Sequence, residues 1–310
     1  VIAQAFYRII NNRLEMIGQS WLKHGFASVN GSLCASCIQP PGGGSQLGVN
    51  CSDPYGSGLN GSQGNLGPRW QVNATTGAYP YPYSAPGWSG DIMRRINVAQ
   101  SDIITGAGAP IYLAETHYVT ADDAQWNNGR NNMSYRRMTF PGITGAPSWV
   151  GSTQRTKSAL QGWADLDPTV VIAPTEYIDT SIQGASINAR FWVASKVVDN
   201  GNGTWTYNYA VLNLNADRDG ASFALPMGGN VAVTNVGFRD VPSHSGDPTD
   251  NTDWTTSSSR TAQAWACTQT FAQNPNANRL RWGTTFSFWV TTNTPPRTAR
   301  VAINLFKPGS

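Results

Sequence analysis

The chain has 310 residues, 40% of them hydrophobic and only 13% charged, so it can bury a sizeable core and is long enough for two domains. Its net charge of +3 is spread thinly, without the Lys/Arg stripe that neutralises phosphates, and this excludes nucleic acid as an expected partner. No run approaches the roughly 18 uninterrupted apolar residues of a membrane helix, and 12 Trp, 11 Tyr and abundant Gly, Asn, Ser and Thr suit an all-β chain of short strands joined by turns.

Residues 6–18, FYRIINNRLEMIG, predict a hairpin: two apolar-polar runs meet at Asn11-Asn12, a pair that tolerates the left-handed conformation of a tight turn. Residues 21–55 gather Cys34, Cys37, Cys51 and His24 into a Gly- and Pro-rich knot, with Cys267 far downstream. Four cysteines allow three pairings, and sequence does not choose among them. Low charge and aromatic-rich strands favour disulfides and an exported protein; the rival is a structural zinc site of Cys34, Cys37, Cys51 and His24, which lacks a second knuckle. Residues 42–90 predict one long loop that packs down through aromatics such as Trp70, Tyr79, Tyr81, Tyr83 and Trp88.

Strands are expected at 92–98 and, more strongly, at 110–119, PIYLAETHYV, where Glu115 and His117 share a face because they are two apart. Asp122, Asp123, Asn127, Asn128, Asn131 and Asn132 then crowd a segment that reads as a polar turn region; calcium is the lesser alternative, since the DxDxDG spacing is missing. Turns are expected over 144–158, a short helical or irregular piece over 160–166 and a brief buried strand over 170–173. From 187 onward alternation becomes regular through Phe191, Val193, Trp205, Tyr207, Tyr209, Val211, Phe286, Phe288 and Val290, and Asp199-Asn200-Gly201-Asn202-Gly203 is the strongest hairpin signal. These features predict a loop-rich β domain over 1–183 and an immunoglobulin-like antiparallel β-sandwich over 184–310, with Phe191, Trp205, Tyr207, Phe286 and Phe288 in its core.

The phrases WLKHGF (21–26), CSDPYGSGLNGSQGNLGP (51–68), HYVTADDA (117–124), RLRWGTTFSFWV (279–290) and LFKPG (305–309) together resemble a group of uncharacterised exported bacterial proteins that carry signal peptides. The resemblance spans nearly the whole chain. It implies export, a shared fold and further residues ahead of Val1, and it implies no chemistry.

Three histidines, His24, His117 and His244, match the ligand number of a catalytic zinc or a copper site if the fold brings them together. Asp53, Glu115, Asp122 and Asp123 are the carboxylates available for an acid-base pair of the glycosidase kind. The GxSxG elbow, the P-loop and the dinucleotide fingerprint are missing from the sequence. Trp205, Tyr207 and Tyr209 read as core because they alternate, whereas Tyr81, Tyr83, Trp88 and Trp126 lie in loops and are the better candidates for stacking on sugar rings. The expectation is therefore an extracellular or cell-surface protein of structural or adhesive role. It associates with itself or another surface protein through the loop at 79–88 or an open strand edge. The alternatives are a copper- or zinc-dependent enzyme acting on an extracellular polymer and a polysaccharide-binding module.

Overall fold

The structure is a computed structural model, and it describes all residues except 25–26, 34, 54–65, 85–92, 94, 180–185, 245 and 310. Cys34, Trp88 and the expected boundary between 183 and 184 lie outside the described residues.

The chain opens with the expected hairpin, β1 (Ile2–Ile10) and β2 (Arg13–Gln19). Its two-residue turn puts Asn11 at φ 49° and Asn12 at φ 61°, as a turn that follows the twist of its strands requires. The first sheet is completed by β3 (Asn97–Val98), β4 (Ile111–Tyr118), β5 (Met133–Thr139) and β6 (Ser148–Arg155), in the order β3-β2-β1-β4-β5-β6. Among the described residues two helices accompany it, α1 (Ala121–Gln125) and α2 (Ala159–Leu166); the latter begins with a capping box between Ser158 and Gln161. Where turns were expected over 144–158, β6 forms instead. It is an edge strand exposed along nearly its whole length, so no burial imposes an alternating pattern on its sequence.

The remaining strands are β7 (Val171–Asp179), β8 (Ile187–Asp199), β9 (Trp205–Asn213), β10 (Gly220–Pro226), β11 (Val233–Arg239), β12 (Thr255–Ser258), β13 (Ala262–Ala266), β14 (Thr284–Thr292) and β15 (Ala302–Leu305). They form a five-stranded sheet, β11-β14-β9-β8-β7, and a four-stranded sheet, β12-β13-β10-β15. The fold is all-β, with three antiparallel sheets. Gly201 and Gly203, at φ 72° and 77°, make the turn from β8 to β9. The brief buried strand expected at 170–173 is longer, mostly exposed, and paired with β8 along its length, so strand pairing crosses residue 183.

The five-stranded sheet lies between the other two. On one face Phe288 meets Phe223 of β10 and Trp265 of β13, with ring centroids 4.8 and 5.3 Å apart. On the opposite face Thr285 meets the Tyr7 hydroxyl at 3.2 Å, and Ser287 donates to the Leu14 carbonyl at 2.6 Å. One apolar cluster runs through the stack, from Tyr7, Leu14 and Met16 to Phe191, Phe286 and Phe288. Trp205 and Tyr207, expected in the core, are only half-buried at the start of β9; Tyr207 packs against the edge of the cluster, where cover by the four-stranded sheet gives out.

Candidate functional site

The knot at 21–55 contains the Cys37–Cys51 disulfide, which spans a sequence separation of 14. With both thiols consumed in this bond, the tetrahedral zinc set of Cys34, Cys37, Cys51 and His24 is not formed. Cys267 is a half-buried free thiol, its pKa raised by burial. The loop is organised from inside by Asn30, which is 6% exposed and sits at φ 53°. Its side-chain amide donates to the carbonyls of Gly43 and Gln46 at 3.1 and 3.0 Å and accepts from the Gly48 N–H at 2.9 Å. Gly31 and Ser52 exchange backbone hydrogen bonds at 2.8 Å, and the Ile38 N–H donates to the Val49 carbonyl at 3.0 Å. Polar groups thus fill the interior, and the aliphatic side chains point outward: Val29, Leu33, Ile38, Leu47 and Val49 are each 53–67% exposed.

The three histidines have three separate surroundings. His24 is ringed by Tyr83, Tyr79 and Tyr81 at centroid distances of 4.6, 5.0 and 6.4 Å; its Nδ1 has no partner, and burial lowers its pKa to about 4. His117 is buried on β4 beside Trp282, and burial, with the nearby Arg69 charge second, lowers its pKa to about 3. His244 packs beside Trp21, with its Nε2 3.0 Å from the Arg95 carbonyl. Among the described residues no group of three or more His, Cys, Asp or Glu side chains is placed to hold a metal ion.

Glu115 and His117 share the inward face of β4, as their spacing predicts, and lead into a buried polar cluster that sequence reasoning did not anticipate. Glu115 is 2% exposed; it accepts from the Tyr7 hydroxyl at 3.1 Å and from the Ala159 N–H, in the first turn of α2, at 2.6 Å. Desolvation outweighs these bonds and raises its pKa to about 7. Arg69 donates to the Ser20 and Gln4 carbonyls at 2.8 and 2.7 Å, while its Nη1, His117 Nδ1 and all three Arg281 side-chain nitrogens are buried without partners. Gly283 separates two of these groups: at φ 66°, a Cβ there would stand 2.9 Å from Arg69 Nη1 and 3.8 Å from His117 Nδ1. The RLRWG phrase hinted at this cluster only by placing arginines beside an apolar strand.

The remaining carboxylates do not join Glu115 in a cleft. Asp53 accepts from the Val29 N–H, Asp122 is exposed in the first turn of α1, and Asp123 accepts from the side-chain amides of Asn128 and Asn132. Of the aromatic candidates, Tyr81 and Trp126 are 74% and 78% exposed and Tyr83 is half-buried. Tyr207 and Tyr209, expected in the core, line a cleft of about 890 Å³ between the five- and four-stranded sheets. No protein-family model, curated protein or solved structure matches this chain.

Proposed function

We propose that this protein is an exported adhesive or structural component of a cell surface or extracellular assembly, and that the disulfide-stapled loop is the surface through which copies associate. The observation that carries this reading is the inverted loop, with five aliphatic side chains more than half exposed on a frame held by a disulfide and the Asn30 hydrogen bonds. Exposed apolar groups on an ordered frame suit a contact surface, since they are desolvated at little ordering cost. The disulfide suits an oxidising compartment, and no helix of the described residues is long and apolar enough to cross a membrane.

Light scattering across a concentration series tests the reading. Wild-type protein is expected to grow in mass with concentration, and the triple variant Leu33→Glu, Ile38→Glu, Val49→Glu to remain monomeric. A wild-type protein that stays monomeric throughout rejects self-association through this loop. A second reading, polysaccharide binding, is supported by the exposed rings of Tyr81 and Trp126. Retention on insoluble polysaccharide that is lost in Trp126→Ala would favour it.

A further inference from the structure

The two C-terminal sheets are unequal in width, and the difference leaves an apolar face open along the wider sheet. β13 and β10 cover β14 and β9, but among the described residues the four-stranded sheet ends at β15, while the five-stranded sheet continues to β7. The cleft of about 890 Å³ occupies this overhang and falls within the ~300–1,000 Å³ range of small-molecule sites. Its floor follows the strand register: Val171 pairs with Ser195, which pairs with Tyr209, and Val197 pairs with Tyr207. Leu225 and Met227 form part of the facing wall.

Two further features narrow the choice of occupant. The first is proline: Pro174 stands in the edge strand β7, and Pro226, Pro295 and Pro296 line the other side. Proline has no N–H to offer an added strand, so these walls suit a ligand that needs apolar contact more than main-chain pairing. The second is charge. Among the described residues the only ionisable side chains lining the cleft besides the tyrosines are Arg297 and Arg300; both are exposed, and neither forms an ion pair with another described residue. An apolar trough with two unpaired guanidinium groups and no carboxylate is complementary to an apolar chain ending in an anion.

We propose that the cleft binds a free long-chain fatty carboxylate, its chain lying along the valine and tyrosine floor and its head group held by Arg297 and Arg300. The proposal is independent of the adhesive reading, which rests on a different surface.

The test is titration of the purified protein with the fluorescent 18-carbon acid cis-parinarate, followed by displacement with palmitate or with hexadecanol, its uncharged counterpart. Saturable binding of one equivalent is expected, with palmitate the better competitor. The double variant Arg297→Gln, Arg300→Gln is expected to weaken palmitate roughly tenfold, the loss typical of a charge-assisted hydrogen bond, and to leave hexadecanol unchanged. Ala173→Trp, at an exposed edge-strand position lining the cleft, is expected to abolish binding while melting like the wild type. Absence of saturable binding overturns the proposal, as does equal competition by acid and alcohol that the arginine variant leaves unaltered. Undiminished binding in a folded Ala173→Trp places the ligand elsewhere and overturns it too. Retention on phosphatidylglycerol vesicles without binding of free acid would reassign the arginines to a membrane surface and reject the free ligand.

Discussion

The disulfide loop and the middle sheet use opposite arrangements of the same side chains. In β14, Phe286, Phe288 and Val290 are fully buried on the face that Phe288 turns to the four-stranded sheet, and the alternate residues Thr285 and Ser287 are buried as well, because the first sheet covers the other face. These hydroxyls are satisfied across layers, by Tyr7 and by the Leu14 carbonyl. In the loop the buried hub is Asn30, and the aliphatic groups face water. A segment held by side-chain-to-backbone hydrogen bonds and a covalent link does not need its apolar groups for its own order, and they are left for contact with something else. A sheet held by burial has no such surplus.

Equivalent truncations are expected to have unequal costs in the two regions. Phe288→Ala is expected to lose roughly 3–5 kcal/mol in chemical denaturation, since Phe223, Trp265, Phe238 and Trp254 all pack on that ring and leave a cavity when it goes. Ile38→Ala in the loop is expected to stay within ~0.5 kcal/mol of wild type. Comparable losses at the two positions would break the comparison.

The polar layer between the first and middle sheets sharpens it through pH. The pKa of Glu115 rises from 4.5 to about 7 on folding, so the folded state holds the proton more tightly. Its contribution is complete below pH 4.5 and is lost as pH rises through about 7, a change of about 3 kcal/mol at most. His117 has the opposite sign: its pKa falls from 6.5 to about 3, so its contribution is present above pH 6.5 and is lost as pH falls toward 3. Glu115→Gln, which keeps an oxygen for the Ala159 N–H, is expected to flatten the loss between pH 4.5 and 7 and to leave the acid limb in place. Urea denaturation at pH 5 and pH 8 measures it; an unchanged difference between the two would show that Glu115 is not the titrating group.

Within the loop, Asn30→Ala removes three hydrogen bonds to a buried amide, and a local loss of roughly 1–3 kcal/mol is expected. The readout is faster amide exchange at Gly48 with little change in the global unfolding midpoint, because the disulfide remains and the sheets are untouched. A fall in the global midpoint as large as that of Phe288→Ala would mean that the loop is part of the cooperative core.

Local rules explain what was legible in the sequence. Asn11-Asn12 announced a two-residue hairpin, the Glu115–His117 spacing put both on one face of β4, and the alternation from 187 onward marked β8, β9 and β14. Edge strands were harder: SWVGSTQR in β6 and TTSS in β12 are exposed, so no burial marks them with a pattern. The stacking of three sheets was not legible, because it depends on β2 meeting β14 across more than 260 residues of chain. The same long-range fact decides Tyr207, whose alternation is that of a core residue but whose cover ends before it. The hub role of Asn30 was not legible either, because its three partners at 43–48 are set by the closed loop, and the burial of Arg69 and Arg281 is set by packing.

The smallest expected effect on stability is the most informative about the loop. Ile38→Glu puts a charge on a side chain that is 62% exposed, so the unfolding midpoint is expected to move by no more than ~0.5 kcal/mol equivalent. The Ile38 N–H donates to the Val49 carbonyl from the backbone, and the substitution leaves that bond intact. In an associated state the same carboxylate would be desolvated without a cation, since the outward face of the loop is aliphatic, and burying an unpaired charge is far more costly than exposing one. The two measurements therefore separate: the monomer's stability is nearly unchanged, and the mass seen by light scattering at high concentration falls. If Ile38→Glu unfolds the loop, its aliphatic face belongs to the frame; if the mass does not change, the contact lies elsewhere on the surface.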